Sequence, residues 1–153
     1  MSKLSFSTAC VLFLGIFISI APVQAAESPD VIGHVKKLDG SVKISRAGKS
    51  IDAKLGDDIH MNDTLRSGPG AAMGITFKDN TRIAIGPDTE FVVDDFTYQP
   101  QKNKLSFGSH ITKGTLQVIS GTIAKLAPQS VKFETPTGTI GVRGTRFLVK
   151  VEK

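Results

Sequence analysis

From residue 31 onward, apolar and polar positions alternate in short runs punctuated by glycine, proline, asparagine and aspartate. Side chains of an extended chain point alternately to its two faces, so such runs predict strands with one buried side. Residues 31–38 make the first expected strand, and Asp39-Gly40 after it is a two-residue hairpin signal. Residues 41–46 follow, with Val42 and Ile44 on one face and Ser41, Lys43 and Ser45 on the other. Ala47-Gly48-Lys49 turns the chain into a short strand around Ile51, and residues 55–59 and Asn62-Asp63-Thr64 are further expected turns. Ser67-Gly68-Pro69-Gly70 is the firmest break.

Beyond that break, Met73, Ile75 and Phe77 alternate with small or polar residues, as do Ile83 and Ile85 after Lys78-Asp79-Asn80. Both apolar sets are odd-numbered, which fixes the register of a hairpin. A three-residue loop, Lys78 to Asn80, pairs Ile75 with Ile83 and Met73 with Ile85, and puts Asn80 at the left-handed position asparagine tolerates. Gly86-Pro87-Asp88 turns into a strand over 90–96, and 97–103 is polar and reads as a loop. Residues 104–111 and 115–119 read as two strands separated by Lys113-Gly114. The stretch 121–129 is a loop or one turn of helix over the core, and 131–135 is again a strand.

The apolar residues change phase near the end of the chain. Ile140 and Val142 sit at even positions, whereas Phe147, Val149 and Val151 sit at odd ones, with Gly144 at the slip. Glycine accepts the positive φ of a common bulge type, so a kinked strand or a strand pair is expected, both halves facing inward. No segment sustains a helical period. The expected fold is all-β, a two-layer β-sandwich or a short β-solenoid-like domain of ten or more short strands.

The first residues differ in kind. Lys3 precedes an almost wholly apolar run over 4–20, and Val23-Gln24-Ala25 offers small residues where a signal peptidase reads. Residues 1–25 are therefore expected to be a signal peptide, 26–30 a short linker and 31–153 the domain. An uncleaved anchor is the alternative, and Pro22 with the small residues after it favours cleavage. The single cysteine, Cys10, lies in the apolar run, so the exported domain would rest on its core without disulfides. Thiolate metal sites and cysteine nucleophiles are excluded on the same ground.

The net charge of +5 is unevenly placed. Residues 26–97 hold 9 Lys+Arg against 12 Asp+Glu, whereas 98–153 hold 9 against 2. The reading favoured here is a solvated polar face; an anion-binding surface is the other.

Thr135-Pro136-Thr137 followed by Val142-Arg143-Gly144-Thr145-Arg146-Phe147 closely resembles the closing motif of the FecR domain family. Further elements agree in order: Gly33-His34-Val35 with Val42 and Ile44, Leu55-Gly56-Asp57, and Asn62-Asp63-Thr64-Leu65-Arg66-Ser67-Gly68. Asp79-Asn80-Thr81 with Gly86-Pro87-Asp88-Thr89, and Lys113-Gly114-Thr115-Leu116, complete the resemblance. Asn80 replaces a usual glycine, and Arg146 stands where many relatives carry an acid. The resemblance implies an all-β periplasmic module. Its best-known members sit behind a transmembrane helix and a cytoplasmic anti-sigma segment, and relay a signal from an outer-membrane iron-siderophore transporter. An export signal occupies the place before the domain here, so the resemblance implies the sensing or binding half on its own.

Thr135, Thr137, Arg143, Gly144, Thr145 and Arg146 are the candidate partner residues. Arg143 can grip an anionic group with its planar fork; the bland reading, favoured here, has it bridge to Asp57 or Asp63. His34, His60 and His110 lack ligand spacing, and neither Asp57-Asp58 nor Asp94-Asp95 lies in a calcium-loop pattern, so no metal or other cofactor is expected. There is no Gly-x-Ser-x-Gly elbow and no phosphate loop. Gly138, Gly141 and Gly144 have the wrong spacing for a dinucleotide fingerprint, and an extended segment follows them. A hydrolase assembled from His60, Asp57 and Ser67 is a rival. One tyrosine and no tryptophan leave few stacking platforms for nucleic acid, which is not an expected partner. The expected function is a non-catalytic binding or scaffolding module, periplasmic or secreted, whose partner is an envelope protein or an anionic cell-wall or lipid surface. The alternative is a signalling component acting through a separate membrane protein.

Overall fold

The alternating runs become strands almost throughout. The computed structural model describes residues 30–143 and 146–152. The expected signal peptide, linker residues 26–29, Gly144 and Thr145 lie outside the described residues. In chain order the strands are β1 (Val31–Asp39), β2 (Val42–Arg46), β3 (Lys49–Asp52), β4 (Asp58–His60), β5 (Thr64–Ser67) and β6 (Ala72–Phe77). They continue with β7 (Arg82–Ile85), β8 (Glu90–Gln99), β9 (Lys104–Ile119), β10 (Val131–Thr135), β11 (Gly138–Gly141) and β12 (Arg146–Val151). One short helix, α1 (Thr122–Leu126), lies between β9 and β10.

A single strand, β9, joins two layers. Its first half pairs with β8 on one side and, in parallel, with β10 on the other. Its second half pairs with β7 and β12. The front layer thus runs β4-β1-β6-β7-β9-β12, and the back layer β3-β2-β5-β8-β9-β10-β11. The layers face each other across one apolar core, which favours the sandwich over the solenoid. Phe77 of the front layer stacks on Phe96 at 5.8 Å and meets the edge of Phe107 at 5.2 Å, both from the back layer. Phe107 stacks on Phe133, and Phe133 meets Phe147 on the front layer at 5.1 Å. Val142 is buried, and Phe147 packs against the same cluster. The phase slip is therefore a strand pair: β11 closes the back layer and β12 the front, with both flanks turned inward.

The hairpin of β6 and β7 has the expected register, Met73 opposite Ile85 and Ile75 opposite Ile83, with Asn80 at φ 66. Ala47 and Gly48 both have positive φ and join β2 to β3 in a two-residue turn. Helix α1 is the expected single turn, and it buries Ile123.

Four expectations are corrected. Asp39-Gly40 does not make a hairpin: β1 pairs with β4 and β6, while β2 pairs with β3 and β5 in the other layer. Gly40, at φ +68, approaches Ala71 so closely that a β carbon would lie 3.0 Å from its Cα, and the chain crosses between layers there. Residues 104–111 and 115–119 are one strand, because Gly114 at φ +95 bends the chain without reversing it. Residues 97–99 extend β8, paired with 104–106, and their polar side chains reflect an edge rather than a loop. Residues 58–60 form β4 against β1, a strand too short to show a period.

Candidate functional site

The motif residues divide into buried latches and exposed positions. Asp63 is buried at 1 % exposure and accepts both Nε and Nη2 of Arg46, at 2.8 and 2.7 Å, together with the backbone N–H of His60. The fork matches the carboxylate, and this bond holds the guanidinium above its ordinary pKa. Asp79, fully buried, accepts the backbone N–H and the hydroxyl of Thr81, and Thr81 Oγ1 accepts the N–H of Gly121. The carbonyl of Asp79 accepts Thr122 N–H, so this loop anchors α1. Thr89 Oγ1 shares its one proton between Pro87 O at 3.1 Å and Thr115 O at 3.2 Å and accepts Thr115 N–H, tying the turn before β8 to the bend in β9. Each latch satisfies backbone groups of a turn that would otherwise be orphaned inside the domain. These bonds tie turns to strands within the domain.

The hydrogen bonds of the three residues in the hydrolase rival run to other partners. Ser67 Oγ bonds Gly86 O and Thr89 N–H, Asp57 caps Lys54 N–H, and His60 Nδ1 has no hydrogen-bond partner. None of the bonds made by these three side chains joins two of them. Among the described residues, no group of three His, Cys, Asp or Glu is placed to hold a metal.

Sequence placed six candidate residues in one motif, and the structure separates those it describes. Thr135 and Thr137 lie at the exposed tip joining β10 to β11, where Thr135 Oγ1 donates to Gly138 O at 2.9 Å. They border a cleft of about 400 Å³ between β11 and the end of β12. Lys150 and Glu152 on its far wall are ion-paired, which raises the lysine pKa and lowers that of the glutamate. Arg143 is exposed between β11 and β12. Its expected bridge to Asp57 or Asp63 is corrected: Arg46 occupies the Asp63 carboxylate, and among the described residues no ion pair includes Arg143. Arg146 opens β12 on the outer face of the front layer.

Register assembles that outer face from five strands. Thr76, Arg82, Ile119 and Arg146 form one cross-strand row beginning at His34. Lys37, Gly74, Ala84, Gln117 and Leu148 form the next. Lys36 is the extra residue of a bulge between Val35 and Lys37, and it borders a cleft of about 160 Å³ with Gly74, Ala84, Arg82 and Gln117. Among the described residues, no ion pair includes Lys36, Lys37, Arg82 or Arg146. Of the acids on this face, Asp58 is held by His34 at 2.9 Å, and Asp39 lies at the far end opposite Ala72.

The back layer differs. Its outer row runs Asp52, Lys43, Arg66, Glu90, Lys113, so that Lys43 and Arg66 lie side by side and each has an acid on its other flank. Lys43 meets Asp52 at 3.0 Å, Arg66 meets Glu90 at 2.9 Å, and His110 meets Asp94 at 2.8 Å. The hydrogen bonds from Arg66 hold the Glu90 carboxyl below its ordinary value of 4.5. A carboxyl whose folded pKa is depressed stabilises the fold above its unfolded value, and loses that contribution as pH falls through the folded value. The pair is partly exposed, so its worth is about 0.5 kcal/mol. Glu90→Gln is expected to remove that much of the acid-side loss of stability, read from urea melts at neutral pH and below the carboxylate range. Sequence reasoning missed the basic front face, because its cations come from β1, β7 and β12 and only the register brings them together.

Fold and latches together define an all-β, motif-stapled module with a cluster of cations on its front face. The family model described as FecR protein matches residues 63–153, more than half of the chain, and the chain belongs to that family. No curated protein matches it. A solved structure described as "Cell surface anchoring domain" is 39% identical, over 40% of this chain and 82% of that one, at a TM-score of 0.39. Among the described residues, no helix is long and apolar enough to cross a membrane.

Proposed function

We propose that the protein is an exported, non-catalytic binding module of the bacterial envelope, whose partner is an envelope protein or an anionic glycan. One observation carries this reading. On the back layer Lys43, Arg66 and His110 are each paired with an acid and Lys49, Lys104, Lys113 and Lys132 stand apart from one another, whereas the front layer gathers Lys36, Lys37, Arg82 and Arg146 on one face without ion partners among the described residues. Like charges held on one face raise the local concentration of anionic partners and do nothing for the fold. Membership of the FecR family supports a second reading, a periplasmic signalling component that acts through a separate membrane protein.

The purified protein is expected to be retained by insoluble cell-wall material at low ionic strength and released as salt rises, since exposed charges are screened over about 10 Å at 0.1 M. Co-purification with a membrane receptor, and no retention by wall material, would favour the signalling reading. Failure to retain either wall material or any envelope protein would overturn the binding reading itself.

A further inference from the structure

We propose that the outer face of the front layer is a binding site for a linear acidic polysaccharide, with Lys36, Arg82 and Arg146 engaging its acid groups. The inference rests on the binding-module reading and gives it a site and a ligand class. Arg82 and Arg146 both lie opposite Ile119, on the two strands flanking β9. Two strand spacings separate them by about 10 Å. A linear chain with regularly spaced acid groups therefore meets both cations while lying across the strands.

The surface between the cations suits a sugar chain. Gly74 and Ala84 form a low floor, and the cleft they share with Lys36, Arg82 and Gln117 measures about 160 Å³. The cleft is open to solvent, so a sugar ring can rest one face on Gly74 and Ala84 while its hydroxyls stay hydrated. The Gln117 amide and the Thr76 hydroxyl, in the two adjacent rows and both lining the cleft, supply donors and acceptors for ring hydroxyls. Gly74 also has a packing reason to be glycine, since a β carbon there would sit 3.2 Å from Lys37 Cβ.

Other anionic partners fit less well. β6, β7 and the second half of β9 are hydrogen-bonded on both sides, so an acidic peptide lying on them gains no strand pairing. Leu148, 65% exposed, and the half-buried Ile119 are the large apolar residues of these rows. A lipid surface or a protein hot spot draws on several aromatic or aliphatic anchors instead.

The test is calorimetric titration of the protein with polygalacturonate, with dextran as the neutral control. Poly-glutamate and phosphatidylglycerol vesicles are the competing anionic probes. The protein is expected to bind polygalacturonate and not dextran, and Arg82→Gln/Arg146→Gln to bind about tenfold more weakly or worse. Ala84→Glu, which places a carboxylate in the exposed cleft, is expected to abolish binding. Lys43→Gln/Arg66→Gln, on the back layer, is expected to change nothing. Thermal melts establish that each variant is folded, and these exposed positions are expected to leave the melt unmoved. Unaltered binding by both front-layer variants would overturn the site while leaving the module reading intact. Binding to dextran, or binding to poly-glutamate or vesicles as tight as to polygalacturonate, would overturn the ligand class.

Discussion

Gly114→Ala is expected to cost the domain about 4 kcal/mol, from a residue that touches no ligand. Two effects add. Gly114 has φ +95, a conformation that L side chains rarely adopt. A β carbon there would also lie 2.5 Å from Thr89 Cα and 2.7 Å from its Cβ, and against its hydroxyl. Thr89 cannot retreat, because it is buried and its hydroxyl holds Pro87 O, Thr115 O and Thr115 N–H together. Domains of this size are stable by roughly 5–15 kcal/mol, so the variant loses a large share of its stability. A chemical melt reads the change; a loss below about 1 kcal/mol would mean that the bend in β9 is not held as described.

Phe107→Ala is expected to cost about 4 kcal/mol by a different route. Phe107 is 1 % exposed and sits where the layers meet: edge-on to Phe77 and Phe96, at 5.2 and 5.7 Å, and stacked on Phe133 at 5.5 Å. Removing the ring leaves a cavity lined by three aromatic rings that strand pairing holds in place, so the site collapses little. Phe107→Leu fills most of that space and is expected to cost about half as much. Equal costs for the two variants would show that ring packing does not join the layers.

What the sequence revealed and what it hid follow from the range of each signal. Register in the β6–β7 hairpin was legible because two odd-numbered apolar sets and an asparagine at the loop admit one pairing. The Ala47-Gly48 turn and the inward faces of Val42 and Ile44 are equally local. Asp39-Gly40 misled because glycine with positive φ serves a crossing between layers as well as a hairpin, and the close approach of Ala71 is a contact across the fold. Gly114 misled for the same reason, and a bend was read as a break.

The elements that carry the family resemblance include structural residues to which the sequence reading gave no bonding partners within the fold. Asp63, Asp79, Thr81, Thr89 and Gly114 stand in motif elements and act as latches. The partner of Asp63 is Arg46, seventeen residues away on another strand, and no spacing rule points to it. Of the motif arginines, Arg146 joins the basic face and Arg143 stands apart from it. Three of the four front-face cations, Lys36, Lys37 and Arg82, come from the half of the sequence in which acids outnumber bases, so the face emerges only when five strands are aligned and not from the imbalance between halves.

A nuclear magnetic resonance titration of the ¹⁵N-labelled protein with polygalacturonate tests the basic front face most directly. Amide shifts are expected to cluster at Gly74, Thr76, Ala84, Gln117 and Leu148, and to be absent at Lys43, Arg66 and Lys132. Shifts confined to the tip at Thr135 and Thr137, or spread over the back layer, would contradict the account.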